Sequence, residues 1–265
     1  NGSDTVSLGI ALTTTGTNVG IKTNNNGTEA QSNTVTVTKT GSITTGTGNN
    51  AYGIFNDGAY NTTIVSGSIA TGTDNSAHGI RNDGNNNTTT VSGSIATKGW
   101  NSDGIYNDGN NNTTTISGSI TLEGIYAYGI YNRGDSNTTT VAGSIETTGI
   151  AARGIYNLDN NNTTTVSGSI TTKGSSAHGI YNAGNNNTTT VAGSITTTGE
   201  EAHGIYNRFD NNTTTISGTV KATGTKSAAL YNVYGSGNSF TLNEGATFIG
   251  DILASDATNN RSEER

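Results

Sequence analysis

Residues able to do acid–base or metal chemistry are sparse in this chain and do not fall into a catalytic spacing. Its 265 residues include 3 His, 19 Asp plus Glu and no Cys, and the formal net charge is -7. A glycan hydrolase or lyase built on strands needs carboxylates, Lys or Arg gathered on one face for proton transfer or calcium binding. The one recurrent carboxylate position reads Asp57, Asp83, Asp108, Arg133, Leu158, Ala183 and Arg208. A repeated calcium site would not accept Arg or Leu in place of its ligand, so the Asn/Gly-rich turns are expected to be ordinary corners. No G-x-S-x-G elbow occurs. His78, His178 and His203 share a variable column with Tyr52, Asp103, Tyr128 and Arg153, and that variability predicts an outward, solvated position. The chain is therefore read as non-enzymatic, with no catalytic, cofactor or metal residues.

Three surfaces could bind instead. Within near-identical repeats, one corner changes through the pairs NN, NS, WN, IY, IA, SS, EE and TK, which places Trp100, Ile125 and Ile150 in one column with Tyr126 beside them. Exposed apolar side chains on adjacent turns would form a ridge, the kind of patch that marks contact with a partner or a second copy. The second surface is a double row of Thr: Thr88 and Thr90, Thr113 and Thr115, Thr138 and Thr140, Thr163 and Thr165, and Thr188 and Thr190. These rows resemble the T-x-T arrays of insect antifreeze solenoids, which implies ice binding as an alternative; the stronger explanation from the residues alone is that Thr is a good solvent-facing strand residue that keeps a solenoid soluble. The third is the row Tyr106, Tyr131, Tyr156, Tyr181, Tyr206 and Tyr231, which could stack on sugar rings or on itself.

The elements that carry these rows are dictated by a repeat. Ile54, Ile80, Ile105, Ile130, Ile155, Ile180 and Ile205, with Leu230, recur every 25 residues after a first step of 26. A fixed period of this size means stacked units that bury their apolar sides against one another. The segment NTTTVSGSI is rich in Thr, Val and Ile without helical spacing, and alternation puts Thr89, Val91, Gly93 and Ile95 inward. Thr88, Thr90, Ser92 and Ser94 then face solvent. Small residues such as Ala77, Ser102 and Ala127 suggest a crowded inward corner. The unbroken row Asn82, Asn107, Asn132, Asn157, Asn182 and Asn207 predicts a side-chain ladder along the axis that satisfies corner backbone groups. The fold expected is an all-β, right-handed parallel β-helix of about nine coils, counted from Ile43 to Phe248, and roughly 40 Å long. Residues 1–32 are expected as a partial coil or cap, 33–250 as the solenoid and 251–265 as a frayed or linking tail.

The repeats GIYN-x-GNNNTTTVSGSI, followed by NSFTLNEGATFIGDILA from Asn238 to Ala254, resemble the passenger domains of bacterial autotransporters, the type V secreted proteins that include pertactin-like adhesins. The likeness spans about Asn33 to Ala254, and GATFIGDI is its most specific piece. It implies export and display or release at the bacterial surface; the C-terminal barrel of that family is not in this sequence. Net acidity argues against nucleic acid, no run approaches a membrane span, and the lack of Cys suits an extracellular protein. The expected work is adhesion to a host or bacterial surface, or lateral or end-to-end self-association, including filaments. The alternatives are ice binding and a glycan-binding or glycan-degrading β-helix.

Overall fold

The computed structural model describes residues 3–25, 28–29, 32–255 and 261–264. One turn runs Thr88–Val91, Ser94–Thr97 and Ile105–Asp108, and the next runs Thr113–Ile116, Ser119–Leu122 and Ile130–Arg133. Each strand pairs in parallel with its copy one turn on, Thr88 with Thr113, Ile95 with Ile120 and Ile105 with Ile130. Among the described residues this produces three sheets of 11, 10 and 10 strands, a parallel β-solenoid of about ten turns. Equal repeat length sets the register, because a slip of one residue would send every inward Val and Ile to solvent.

The interior is filled by like residues on like. Val91, Ile116 and Val141 come from the first sheet, Ile95, Ile120 and Ile145 from the second, and Ile105, Ile130 and Ile155 from the third, all buried in one continuous cluster. Three apolar side chains per turn suffice because each turn is covered above and below by its neighbours. A Cβ on Gly104 would stand 2.6 Å from Gly129 O and 2.5 Å from Ile120 Cγ2, so only Gly lets the chain enter the third sheet this close to the next turn.

The ends differ from expectation. Residues 1–32, anticipated as a partial coil or cap, include Thr5–Leu8, Ala11–Thr13 and Ile21–Asn24, one strand for each sheet. Leu12 pairs with Ile43, which adds a turn before the nine counted from the Ile column. The anticipated tail supplies Asp251–Ser255, paired beside Ala228–Val233, and Arg261–Glu264, paired beside Ser239–Leu242. No helix among the described residues is long and apolar enough to cross a membrane.

Asn rows carry the polar part of the scaffold. Asn132 Nδ2 donates to Asn157 Oδ1 at 2.8 Å and to Thr139 Oγ1 at 3.1 Å, and Asn132 Oδ1 accepts from Asn107 Nδ2 at 2.8 Å. The same links run from Asn56 to Asn232. The partners are the next Asn and the inward Thr row, not the corner backbone. A second row does serve the backbone: Asn87 Oδ1 accepts from Asn61 N at 2.8 Å, and Asn87 Nδ2 donates to Gly84 O at 3.0 Å.

Candidate contact surface

The corner between the second and third sheets is built by two residues that follow a Gly, as in Gly99-Trp100-Asn101. The second of the pair is left-handed on successive turns, with φ 52° at Asn101, 54° at Tyr126, 53° at Ala151 and 54° at Ser176. Its N–H donates to the carbonyl of the first residue one turn on: Asn101 N to Ile125 O at 2.9 Å, Tyr126 N to Ile150 O at 3.0 Å and Ala151 N to Ser175 O at 2.8 Å. The corner is thus a hydrogen-bonded ladder like the sheets beside it, and its side chains are held at the strand repeat of about 4.8 Å.

On that ladder Trp100, Ile125, Tyr126 and Ile150 are 49%, 41%, 46% and 54% exposed. Trp100 and Tyr126 meet edge to face at 6.1 Å between ring centroids. Ser175 and Glu200 continue the column as polar residues. The Lys98–Glu123 and Lys173–Glu146 ion pairs, at 3.3 and 2.5 Å, lie alongside. The arrangement is a short apolar ridge with a charged rim, able to lose water against another apolar surface at little conformational cost.

The His column stands elsewhere than expected. His78, His178 and His203 are buried, as are Asp103, Tyr52 and Tyr128. The residue after the small corner turns back under the Tyr row, and where it is His or Asp its side chain accepts a backbone N–H from the next turn. His78 Nδ1 accepts from Asp103 N at 2.9 Å, His178 Nδ1 from His203 N at 3.0 Å, and His203 Nδ1 from Ala228 N at 3.0 Å. An imidazole accepting at Nδ1 is neutral, and burial lowers the pKa of His78 to about 3 and of His203 to about 4. Burial also raises the Asp103 pKa, against the opposing effect of the Tyr128 N–H on its Oδ1. Asp103 Oδ2 lies 3.3 Å from His78 Nδ1, and burial disfavours charge on both groups.

The Tyr row is half-buried, with Tyr181 buried; Tyr106 meets Tyr131 edge to face, and from Tyr131 on the rings stack on one another. Tyr131, Tyr156, Tyr181, Tyr206 and Tyr231 follow at centroid spacings of 5.0, 5.1, 4.7 and 5.1 Å with nearly parallel planes. Arg153 lies over Tyr156 and Tyr181 at 4.6 and 4.5 Å. Ring faces inside this column are covered by the next ring, so stacking of a sugar on them is blocked. Burial pushes the hydroxyl pKa of Tyr156 and Tyr206 up to about 12, against the opposing Arg153 charge at Tyr156 and with the neighbouring rings Tyr181 and Tyr231 adding to it at Tyr206.

In the first sheet Thr88, Thr113, Thr138, Thr163 and Thr188 are exposed, and Thr90, Thr115, Thr140, Thr165 and Thr190 are half-buried beside them. The in-register pairing brings them into two straight columns. Among the described residues no group of three or more His, Asp or Glu is placed to hold a metal ion. Comparison with protein-family models, curated proteins and solved structures finds no match. The buried His–Asp column and the left-handed corner escaped sequence reading; the repeated small residue after each variable pair was the available sign of a tight reversal.

Proposed function

We propose that this chain is a non-enzymatic rod of a secreted or surface-displayed bacterial protein, of the autotransporter-passenger type, that acts by adhesion or self-association. The observation that carries the reading is the ridge of Trp100, Ile125, Tyr126 and Ile150, exposed on three successive turns and held by a backbone ladder. Four large apolar side chains kept rigidly in water cost solubility, and contact with another surface removes that cost. The side-by-side association of two copies through this ridge is the favoured form, with a foreign apolar surface as the other form of the same contact. The repeat supplies reach, and the variable corner supplies the difference between one turn and the next.

Sedimentation velocity over a range of concentrations tests the reading on the whole chain and on the double variant Trp100→Ser, Ile125→Ser. Concentration-dependent association of the parent that the variant loses, with unchanged circular dichroism, is the expected result. A parent that stays monomeric and adsorbs to apolar beads no better than the variant would sink the proposal.

A further inference from the structure

The first sheet differs from the other two in what it shows to solvent. From Thr34–Val37 through Ser239–Leu242, every outward strand position is Thr except Ile64 and Ser239, and none is charged. The outward positions of the third sheet carry Lys22, Asp57, Arg81 and Arg133, and those of the second carry Glu146 and Lys221. Charge is therefore segregated away from one face of the rod.

The two Thr columns form a grid of about 4.8 Å between turns and about 6.7 Å along each strand. Parallel pairing is unbroken from Thr34 to Ser239, so the grid has no register shift within it. Among the described residues, the column hydroxyls from Thr88 to Thr190 make no hydrogen bond to another protein group; the nearest approach of this kind is Ser239 Oγ to Thr213 Oγ1, 3.5 Å, at the end of the array. The inward Thr column behaves differently, since Thr139 and its copies are spent on the Asn ladder. Each outward hydroxyl thus keeps its donor and acceptor capacity for water, with a methyl beside it. A stiff, uncharged lattice of alternating hydroxyls and methyls can hold a planar layer of water in register, whereas a charged side chain would orient water radially about itself. Outward aromatic rings, which a crystalline polysaccharide surface would require, are missing from these strands.

We propose that the outward Thr face of the first sheet is an ice-binding surface. It goes beyond the contact ridge and is spatially separate from it, because the ridge lies at the corner joining the second and third sheets. A rod held through its ridge would still present the Thr face.

Nanolitre osmometry and ice-recrystallisation assays on the full chain test this. Thr140→Tyr and Thr165→Tyr intrude on the middle of the grid, Thr171→Tyr places the same ring on the second sheet, and circular dichroism verifies the fold of each. The expected result is a gap between melting and freezing points, with faceted crystals, that the two grid variants largely lose and Thr171→Tyr retains. A parent that neither shapes ice nor inhibits recrystallisation overturns the proposal, as do grid variants that match the parent. The ridge variant Trp100→Ser, Ile125→Ser should keep full ice activity, so failure of either idea leaves the other standing.

Discussion

Replacing His203 by Asn measures what the buried imidazole column does to stability. His203 Nδ1 accepts the Ala228 N–H at 3.0 Å, and burial lowers its pKa from the ordinary 6.5 to about 4, against a small opposing effect of the Glu201 charge. The unfolded chain takes up this proton first as pH falls, so the native state loses stability from about pH 6.5 down to about pH 4 and no further below that. At pH 5 the unfolded group is one and a half pH units below its midpoint, which corresponds to about 2 kcal/mol. The ring borders an open groove with Glu201 and Lys226, and solvent screening there trims the figure to about 1–2 kcal/mol. Asn places an amide oxygen near the Nδ1 position, keeps the acceptor for Ala228 and does not titrate. Urea unfolding followed by circular dichroism at pH 7 and pH 5 should show the variant losing about 1–2 kcal/mol less than the parent between the two conditions. His78 stays in both chains and cancels in the comparison; His178, stacked on His203 at 5.1 Å, is held neutral chiefly by its own burial and then by the Arg153 charge, with His203 as the lesser cause, so most of its contribution cancels as well. Identical pH dependence in the two proteins would refute the argument that His203 is neutral when folded.

Two further substitutions probe the scaffold. Asn132→Ala removes the donor to Asn157 Oδ1 and Thr139 Oγ1 and the acceptor for Asn107 Nδ2, all buried. Urea unfolding should show a loss of about 2–4 kcal/mol, and a loss below about 1 kcal/mol would mean that the ladder is dispensable. Ser176→Gly relieves a left-handed residue at φ 54° and should raise stability by about 0.5–1 kcal/mol in the same assay.

The ridge and the Thr grid rest on one property of the solenoid. A side chain repeated at one phase becomes a column, and a column in a parallel ladder becomes a surface with fixed spacing. Where the phase is constant, as in Thr88 to Thr190, the surface is uniform; where it varies, as in Trp100, Ile125 and Ile150, the surface is local. This lets one short chain carry a lattice and a patch on different sides of the same core.

The sequence alone determined the period, the strand pattern and the inward set Thr89, Val91 and Ile95, because neighbouring turns repeat the same residues and alternation in a strand admits one buried face. The irregular first turn, with Leu12 in the column of Ile43, was hidden because its spacing departs from 25 and only pairing with the next turn reveals its phase. The His column was misread for a related reason. Variation from His78 to Asp103 to Tyr128 looks like a solvent-facing position, yet these side chains are buried by a left-handed corner, a stacked Tyr row and a backbone N–H one turn away. Those contacts lie 25 residues apart in sequence. Their geometry depends on how each corner turns, which only the tertiary structure decided.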